Sequence, residues 1–185
     1  NGVSGYNYIA KFNTLTNTWS NPFGTGLDNT CWSLYSMGTD LYVGGGFTTV
    51  NGNTWNRIAK FDTLTNTWSN PFGTGLNSAC NTLYAISTDL YVGGLFTNVN
   101  GNAWNRIAKF DTVGNVWSNP FGTGLNLDCY ALYAIGTDLY VGGYFTNVNG
   151  NAWNYIAKFN TLTNTWSNPF GTGLFTICYT LYAIG

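Results

Sequence analysis

Between residues 80 and 119, CNTLYAISTDLYVGGLFTNVNGNAWNRIAKFDTVGNVWSN, apolar and β-branched residues fall into four short runs separated by polar turns. The first run, CNTLYAI (80–86), has no helical period and predicts a strand. Ser-Thr-Asp (87–89) then supplies hairpin chemistry. The second run, LYVGGLF (90–96), predicts a strand with an irregularity, because paired Gly93 and Gly94 suit a bulge or a close backbone approach. An Asn/Gly-rich loop (97–105) leads to a third strand, RIAKF (106–110). The turn DTVGN precedes a fourth, VWSN (116–119). The runs lack a clean apolar/polar alternation, which predicts sheets covered on both faces.

The same text recurs with a 49-residue period and no gaps. Ile9, Ile58, Ile107 and Ile156 are equivalent, as are Trp19, Trp68, Trp117 and Trp166; Tyr42, Tyr91 and Tyr140 each open a YVGGxFT segment. Four antiparallel strands per unit of this length predict an all-β fold, a β-propeller of four-stranded antiparallel blades with about 3.75 repeats per chain. No composition shift breaks the series, so residues 1–185 read as a single repeat domain. Its blades span 31–70, 80–119 and 129–168, and a split partial blade is shared between 1–21 and 178–185. That partial blade lacks the equivalent of a second strand. The expectation is an incomplete ring, completed by further sequence or by self-association, with about eight blades in a dimer.

Composition narrows the function more than the fold. Hydrophobic residues make up 44% and aromatics 18%, enough for a packed interior, while charged residues are only 7%. Six Lys and Arg against seven Asp give no basic field for a nucleic-acid backbone and no polybasic run for a lipid surface. No apolar run approaches the ~20 residues needed to cross a bilayer as a helix. The chain has no His, Glu or Gln. The commonest general base and the commonest neutral metal ligand are therefore missing, which argues against an enzyme and against any metal or cofactor. The N-terminal stretch shows no signal-peptide pattern and no initiator Met.

Cys31, Cys80, Cys129 and Cys178 recur once per unit. Equivalent positions stand about one unit apart, too far for the ~7 Å that a disulfide spans. Buried free thiols are the expectation.

The best ligand-binding candidates lie in the loop between the second and third strands: Tyr6 and Asn7, Trp55 and Asn56, Trp104 and Asn105, Trp153 and Asn154. An exposed aromatic beside an amide, once per blade, suits a sugar ring and its hydroxyls. The competing reading packs these rings between blades. Asn98, Asn100 and Asn102 alternate like oxygen ligands of a calcium loop but lack every carboxylate, so Asx-turns are expected. Asp40, Asp89 and Asp138 are expected to bond hairpin amides, Lys60 to pair with Asp62, and Lys109 with Asp111. Arg57 and Arg106 occur in only two copies, which argues against a symmetric anion site. Trp19, Trp68, Trp117 and Trp166 are expected to clamp the outer strand.

The Gly-Gly after Leu-Tyr-Val resembles the diglycine of kelch repeats. FDTLTNTW at 61–68 is similar to the kelch signature, with the same seven-residue step from aromatic to Trp. The combination DLYVGGxFT, NRIAKFD and Trp also resembles the repeats of Rax2-type cell-surface proteins and related secreted or viral repeat proteins. The resemblance spans the whole chain and implies a binding or scaffolding role at an extracellular, virion or cell-surface location. Phe12, Phe61, Phe110 and Phe159 stand where kelch repeats usually carry Tyr. The functional expectation is a non-enzymatic scaffold in a homo-oligomer or longer array, with glycans or another protein as partners. The alternatives are a carbohydrate-binding module using the Trp/Asn loops, or a fibre or coat protein. Near-identity of the copies fits recent duplication or deliberate design.

Overall fold

The computed structural model describes residues 7–183. It contains three complete four-stranded antiparallel sheets, a two-stranded piece and a further small hairpin, with no helix among the described residues. The piece is the hairpin of β1 (Lys11–Asn13) and β2 (Thr18–Ser20). The first complete sheet contains β3 (Cys31–Met37) and β4 (Asp40–Gly45). A small hairpin, β5 (Thr49–Val50) and β6 (Asn53–Thr54), follows, and β7 (Ile58–Asp62) and β8 (Thr67–Ser69) finish the sheet in the order β3-β4-β7-β8. The second sheet is β9 (Cys80–Ile86), β10 (Asp89–Gly94), β11 (Ile107–Asp111) and β12 (Val116–Ser118). The third is β13 (Cys129–Ile135), β14 (Asp138–Gly143), β15 (Ile156–Asn160) and β16 (Thr165–Ser167). Each is a propeller blade. Strand order follows the sequence because every connection within a blade is a hairpin or short loop.

The four strands of each blade differ from the sequence reading at their ends, and in the first blade the loop expected between the second and third strands carries the extra β5–β6 hairpin. The second strand begins at the Asp and stops at the diglycine, because the backbone turns out of the ladder there. The third begins at Ile107, because Arg106 takes φ +67° and cannot extend it. The partial blade is seen as β1 and β2 only, and residues 178–183 are not in a strand.

The core lies between successive blades. From the first blade come Tyr42 and Ile58; from the second come Cys80, Leu83, Leu90, Val92, Ala108 and Phe110, with Phe72 and Leu76 of the connecting segment closing the layer. The second and third blades build the same layer from Tyr91 and Ile107 against Cys129, Leu132, Leu139, Val141, Ala157 and Phe159. Both faces of the middle sheet are thus buried, which accounts for the continuous apolar runs. The first strands lie nearest their counterparts: β9 packs against both β3 and β13. Tyr35, Tyr84 and Tyr133 form a ladder along them, with ring centroids 5.4 Å apart at each step.

The diglycine has two separate duties. A Cβ on Gly44 would sit 2.5 Å from the Cys80 sulfur of the next blade, whereas one on Gly45 would sit 2.2 Å from the Thr30 carbonyl oxygen of its own blade. The first glycine admits the neighbouring blade; the second lets β3 and β4 close around a register shift between Cys31 and Ser33. All four cysteines are unpaired. Cys80, Cys129 and Cys178 are buried as small apolar fillers, while Cys31 is only partly covered.

Candidate functional site

The Trp/Asn loops leave each second strand at the diglycine and return at the third strand. In the second blade, Asn98 Oδ1 accepts the Gly101 amide at 2.9 Å, and the Asn102 side chain donates back to the Asn100 and Val99 carbonyls. Asn100 Oδ1 reaches outside the loop and accepts the Thr74 amide at 3.0 Å. The asparagine ladder is therefore occupied by Asx-turns and by a latch to the connecting segment. Among the described residues there is no cluster of three His, Cys, Asp or Glu side chains that could hold a metal.

The candidate sugar-binding residues do not converge on one surface. Trp55, Trp104 and Trp153 are partly buried and pack against the inter-blade cores. The asparagines beside them point to the connecting segments. Asn7, Asn56 and Asn105 donate through Nδ2 to the carbonyls of Thr25, Thr74 and Thr123 at 2.9, 3.0 and 3.2 Å. The Asn154 backbone makes the matching contacts, accepting the Leu174 amide and donating to Thr172. Tyr6 lies outside the described residues. Asn56 lines a recess, a polar groove of about 280 Å³ bounded also by Arg57, Thr74, Asn77 and Asn98.

The residue after each asparagine has left-handed backbone: Tyr8, Arg57, Arg106 and Tyr155 lie at φ +61° to +70°. Bulky residues rarely occupy this region. The strain is offset by paired backbone bonds; in the second blade the Arg106 amide donates to Phe96 and its carbonyl accepts from Gly94. The side chain then folds over the loop. Arg57 donates to the Gly46 carbonyl, and Arg106 to Leu95 and to Asp128 of the following blade at 2.9 Å. Tyr155 instead stacks on Tyr144.

The carboxylates are arranged differently from the sequence reading. Lys60, Lys109 and Lys158 pair with Asp40, Asp89 and Asp138 at 3.0, 2.9 and 2.7 Å, not with the neighbours Asp62 and Asp111. The turns after the third strand explain the exchange. Asp62 Oδ1 accepts the free amides of Leu64 and Thr65, and Asp111 accepts that of Val113, so these acids cap turns and leave the lysines to the hairpin acids. Amide bonds from Thr65 and Leu64 hold the Asp62 carboxyl below its ordinary range. Hydrogen bonds from Lys158 and Asn160 do the same for Asp138.

Some contacts were not anticipated. Asp28, Asn77 and Asn126 each accept two loop amides, those of Thr48 and Thr49, Thr97 and Asn98, and Thr146 and Asn147. Recurrence at the 49-residue spacing was the available signal. The tryptophan clamp is present three times: Nε1 of Trp68, Trp117 and Trp166 donates at 3.0 Å to the carbonyls of Phe23, Phe72 and Phe121 in the preceding connection. Trp19 departs from that expectation. Among the described residues its ring meets that of Phe12, tilted at 52° with centroids 5.0 Å apart, and it is 57% exposed.

Comparison with known proteins agrees with this architecture. Residues 90–116 and 139–161 match a family described as a domain of unknown function (DUF5122) beta-propeller. Among solved structures, the computationally designed Ika4 protein superposes with a TM-score of 0.57 at 13% identity, over 86% of this chain and 83% of that one. The computationally designed Ika8 protein gives 0.58 at 13% identity, over 85% of this chain and 41% of its own. At such identities the likeness concerns the fold alone. No curated protein sequence matches the chain.

Proposed function

We propose that the chain is a non-enzymatic scaffold of kelch-like blades that associates with further blades, supplied by a second copy or a longer array. The observation that supports this reading is an uncovered inter-blade face on the first complete sheet. Leu83 and Leu132 are 5% and 6% exposed in the blade contacts, whereas the equivalent Leu34 is 52% exposed. Cys31 and Leu41 on the same face are likewise more open than Cys80 and Leu90. Apolar residues that bury in two copies and stay open in the third mark a contact surface. The side-chain inventory supports the non-enzymatic part, since Lys60, Lys109 and Lys158 are held by Asp40, Asp89 and Asp138, Asp62 and Asp111 cap turns, and no imidazole exists.

Native mass spectrometry or sedimentation tests the association. The expected result is an oligomer that dissociates on dilution and in Leu34→Asp. A strictly monomeric, cooperatively folding 20.2 kDa species would remove the proposal. A second reading is carbohydrate binding, favoured by the amide-lined groove at Asn56, Arg57, Asn77 and Asn98. A glycan panel that binds the chain, and fails to bind folded Trp104→Ala and Asn56→Ala, would support it; no response to any glycan rules it out.

A further inference from the structure

The polar groove beside Asn56 recurs 49 residues further on with one difference that bears on charge. Its polar lining, Asn56, Arg57, Thr74, Asn77 and Asn98, is repeated as Asn105, Arg106, Thr123, Asn126 and Asn147. Both arginines sit on left-handed backbone, at φ +70° and +67°, and both donate through Nη1 to a loop carbonyl, that of Gly46 or Leu95. Arg106 Nη1 also meets Asp128 Oδ1 at 2.9 Å, with the two side chains 19% and 21% exposed. The residue that corresponds to Asp128 in the first copy is Ala79. The backbone there is unchanged, since the carbonyls of Ala79 and Asp128 accept the amides of Leu95 and Tyr144, each at 2.9 Å. The first copy thus keeps the guanidinium and lacks its acid.

A guanidinium carries five N–H donors in a rigid fork that fits a carboxylate. Among the described residues the Arg57 side chain bonds only the neutral Gly46 carbonyl, and no carboxylate pairs with it. No acid is among the described residues that line the groove. The remaining polar groups there are amides. Asn56 uses Nδ2 on the Thr74 carbonyl, and Asn98 uses Oδ1 on the Gly101 amide. The Asn56 side-chain oxygen and the Asn98 side-chain NH₂ remain, an acceptor and a donor suited to hydroxyl groups. At about 280 Å³ the groove has room for one sugar ring rather than an oligosaccharide.

We infer that this groove is a binding site for a hexuronic acid unit. The sugar carboxylate takes on Arg57 the part that Asp128 takes on Arg106, and ring hydroxyls meet Asn56 and Asn98. One guanidinium matches one negative charge, which favours a carboxylate over a dianionic phosphate ester. The site occurs in one copy of the groove: Arg106 is already neutralised, and the third copy carries Tyr155 in place of the arginine. Uronate binding here rests on the carbohydrate reading of the same groove and narrows it to acidic sugars.

The experiment titrates sodium glucuronate, glucose and sodium acetate separately into the isotope-labelled full chain and follows backbone and side-chain N–H shifts by NMR. Glucuronate should bind saturably and move the Arg57 Nε–H and the side-chain amides of Asn56 and Asn98, with glucose and acetate each at least about tenfold weaker, as for loss of a charged hydrogen bond or of the ring contacts. Ala79→Asp supplies the internal acid and should weaken glucuronate at least about tenfold. Asp128→Ala frees Arg106 and should add a second set of shifts at Arg106 and Asn105. Glucose binding as tightly as glucuronate keeps the carbohydrate reading but overturns the acidic-sugar assignment. Acetate binding as tightly overturns it too, since a carboxylate alone then accounts for the response. Full-strength glucuronate binding by folded Ala79→Asp does the same. No saturable shift with glucuronate also overturns it, and the carbohydrate reading falls with it only if glucose and the wider glycan panel are silent. The ligand comparisons involve no change to the protein and stand even if a variant fails to fold.

Discussion

The contact between Gly44 and Cys80 offers the sharpest test of how the blades are joined. In Gly44→Ala the new methyl would lie 2.5 Å from the Cys80 sulfur. Carbon and sulfur atoms settle no closer than roughly 3.5–4 Å, so the blades must separate by about 1 Å or the sulfur must leave its rotamer. Overpacking of this kind costs about 1–3 kcal/mol. Cys80→Ala alone empties a small volume in a fully buried site, at a cost on the order of 1–2 kcal/mol. Combined, the two changes should largely cancel. The methyl then occupies the space the sulfur vacated, and its nearest neighbours are the residue-80 Cβ at 3.2 Å and Leu83 at 3.4 Å. The double variant should be more stable than the sum of the singles by about 1–3 kcal/mol. Urea denaturation of the four proteins, read as midpoint and slope, measures that coupling. Additivity within about 0.5 kcal/mol would refute the assignment of Gly44 to the neighbouring sulfur. Gly45→Ala is the contrast. Its methyl meets the Thr30 carbonyl oxygen at 2.2 Å, a backbone atom, so Cys80→Ala should not rescue it.

Other outcomes follow from the same contacts. Burial pushes the Cys80 and Cys129 thiols well above their ordinary value, and Cys31 up to about 11. Iodoacetamide near pH 8 should therefore label Cys31 slowly and leave Cys80 and Cys129 unmodified until denaturant is added; rapid labelling of Cys80 in the folded chain would contradict its placement. Together with Tyr91, raised by burial to about 12, these groups hold their protons more tightly when folded. The thiol contribution to stability is full below the unfolded value of 9.0 and is lost as pH rises above it, through about 11 for Cys31 and higher for Cys80 and Cys129, while that of Tyr91 is lost from 10.0 through about 12. A urea midpoint that stays flat to pH ~11 would exclude that linkage. Trp117→Phe removes the bond to the Phe72 carbonyl but keeps the ring pair with Phe110, 5.0 Å away, and should cost about 0.5–1.5 kcal/mol. Trp117→Ala loses both and should cost roughly 2–4 kcal/mol, below the fully buried case because the ring is partly exposed. Equal melting temperatures for Phe and Ala would remove the clamp.

Strand type, order and period were legible because each is local or repetitive. CNTLYAI carries its preference within seven residues, and β9 occupies that stretch. The lysine pairing was not legible. Asp62 is two residues from Lys60 and Asp40 is twenty, yet the turn amides claim Asp62 and the hairpin brings Asp40 to 3.0 Å. For the candidate loops, sequence showed that Trp104 and Asn105 recur but not which way they face. The ring leans on the inter-blade core, and the amide binds the Thr123 carbonyl eighteen residues away.

What the chain determined by itself is the repeating unit. Short-range preference, turn chemistry and a strict 49-residue register specify four-stranded blades without reference to anything distant. The tertiary structure decided what each repeated residue is for, because a blade cannot bury its own faces and identical residues acquire different surroundings in successive copies. Leu34, Leu83 and Leu132 are the same letter in the same register, yet two are sealed in blade contacts and one is half exposed.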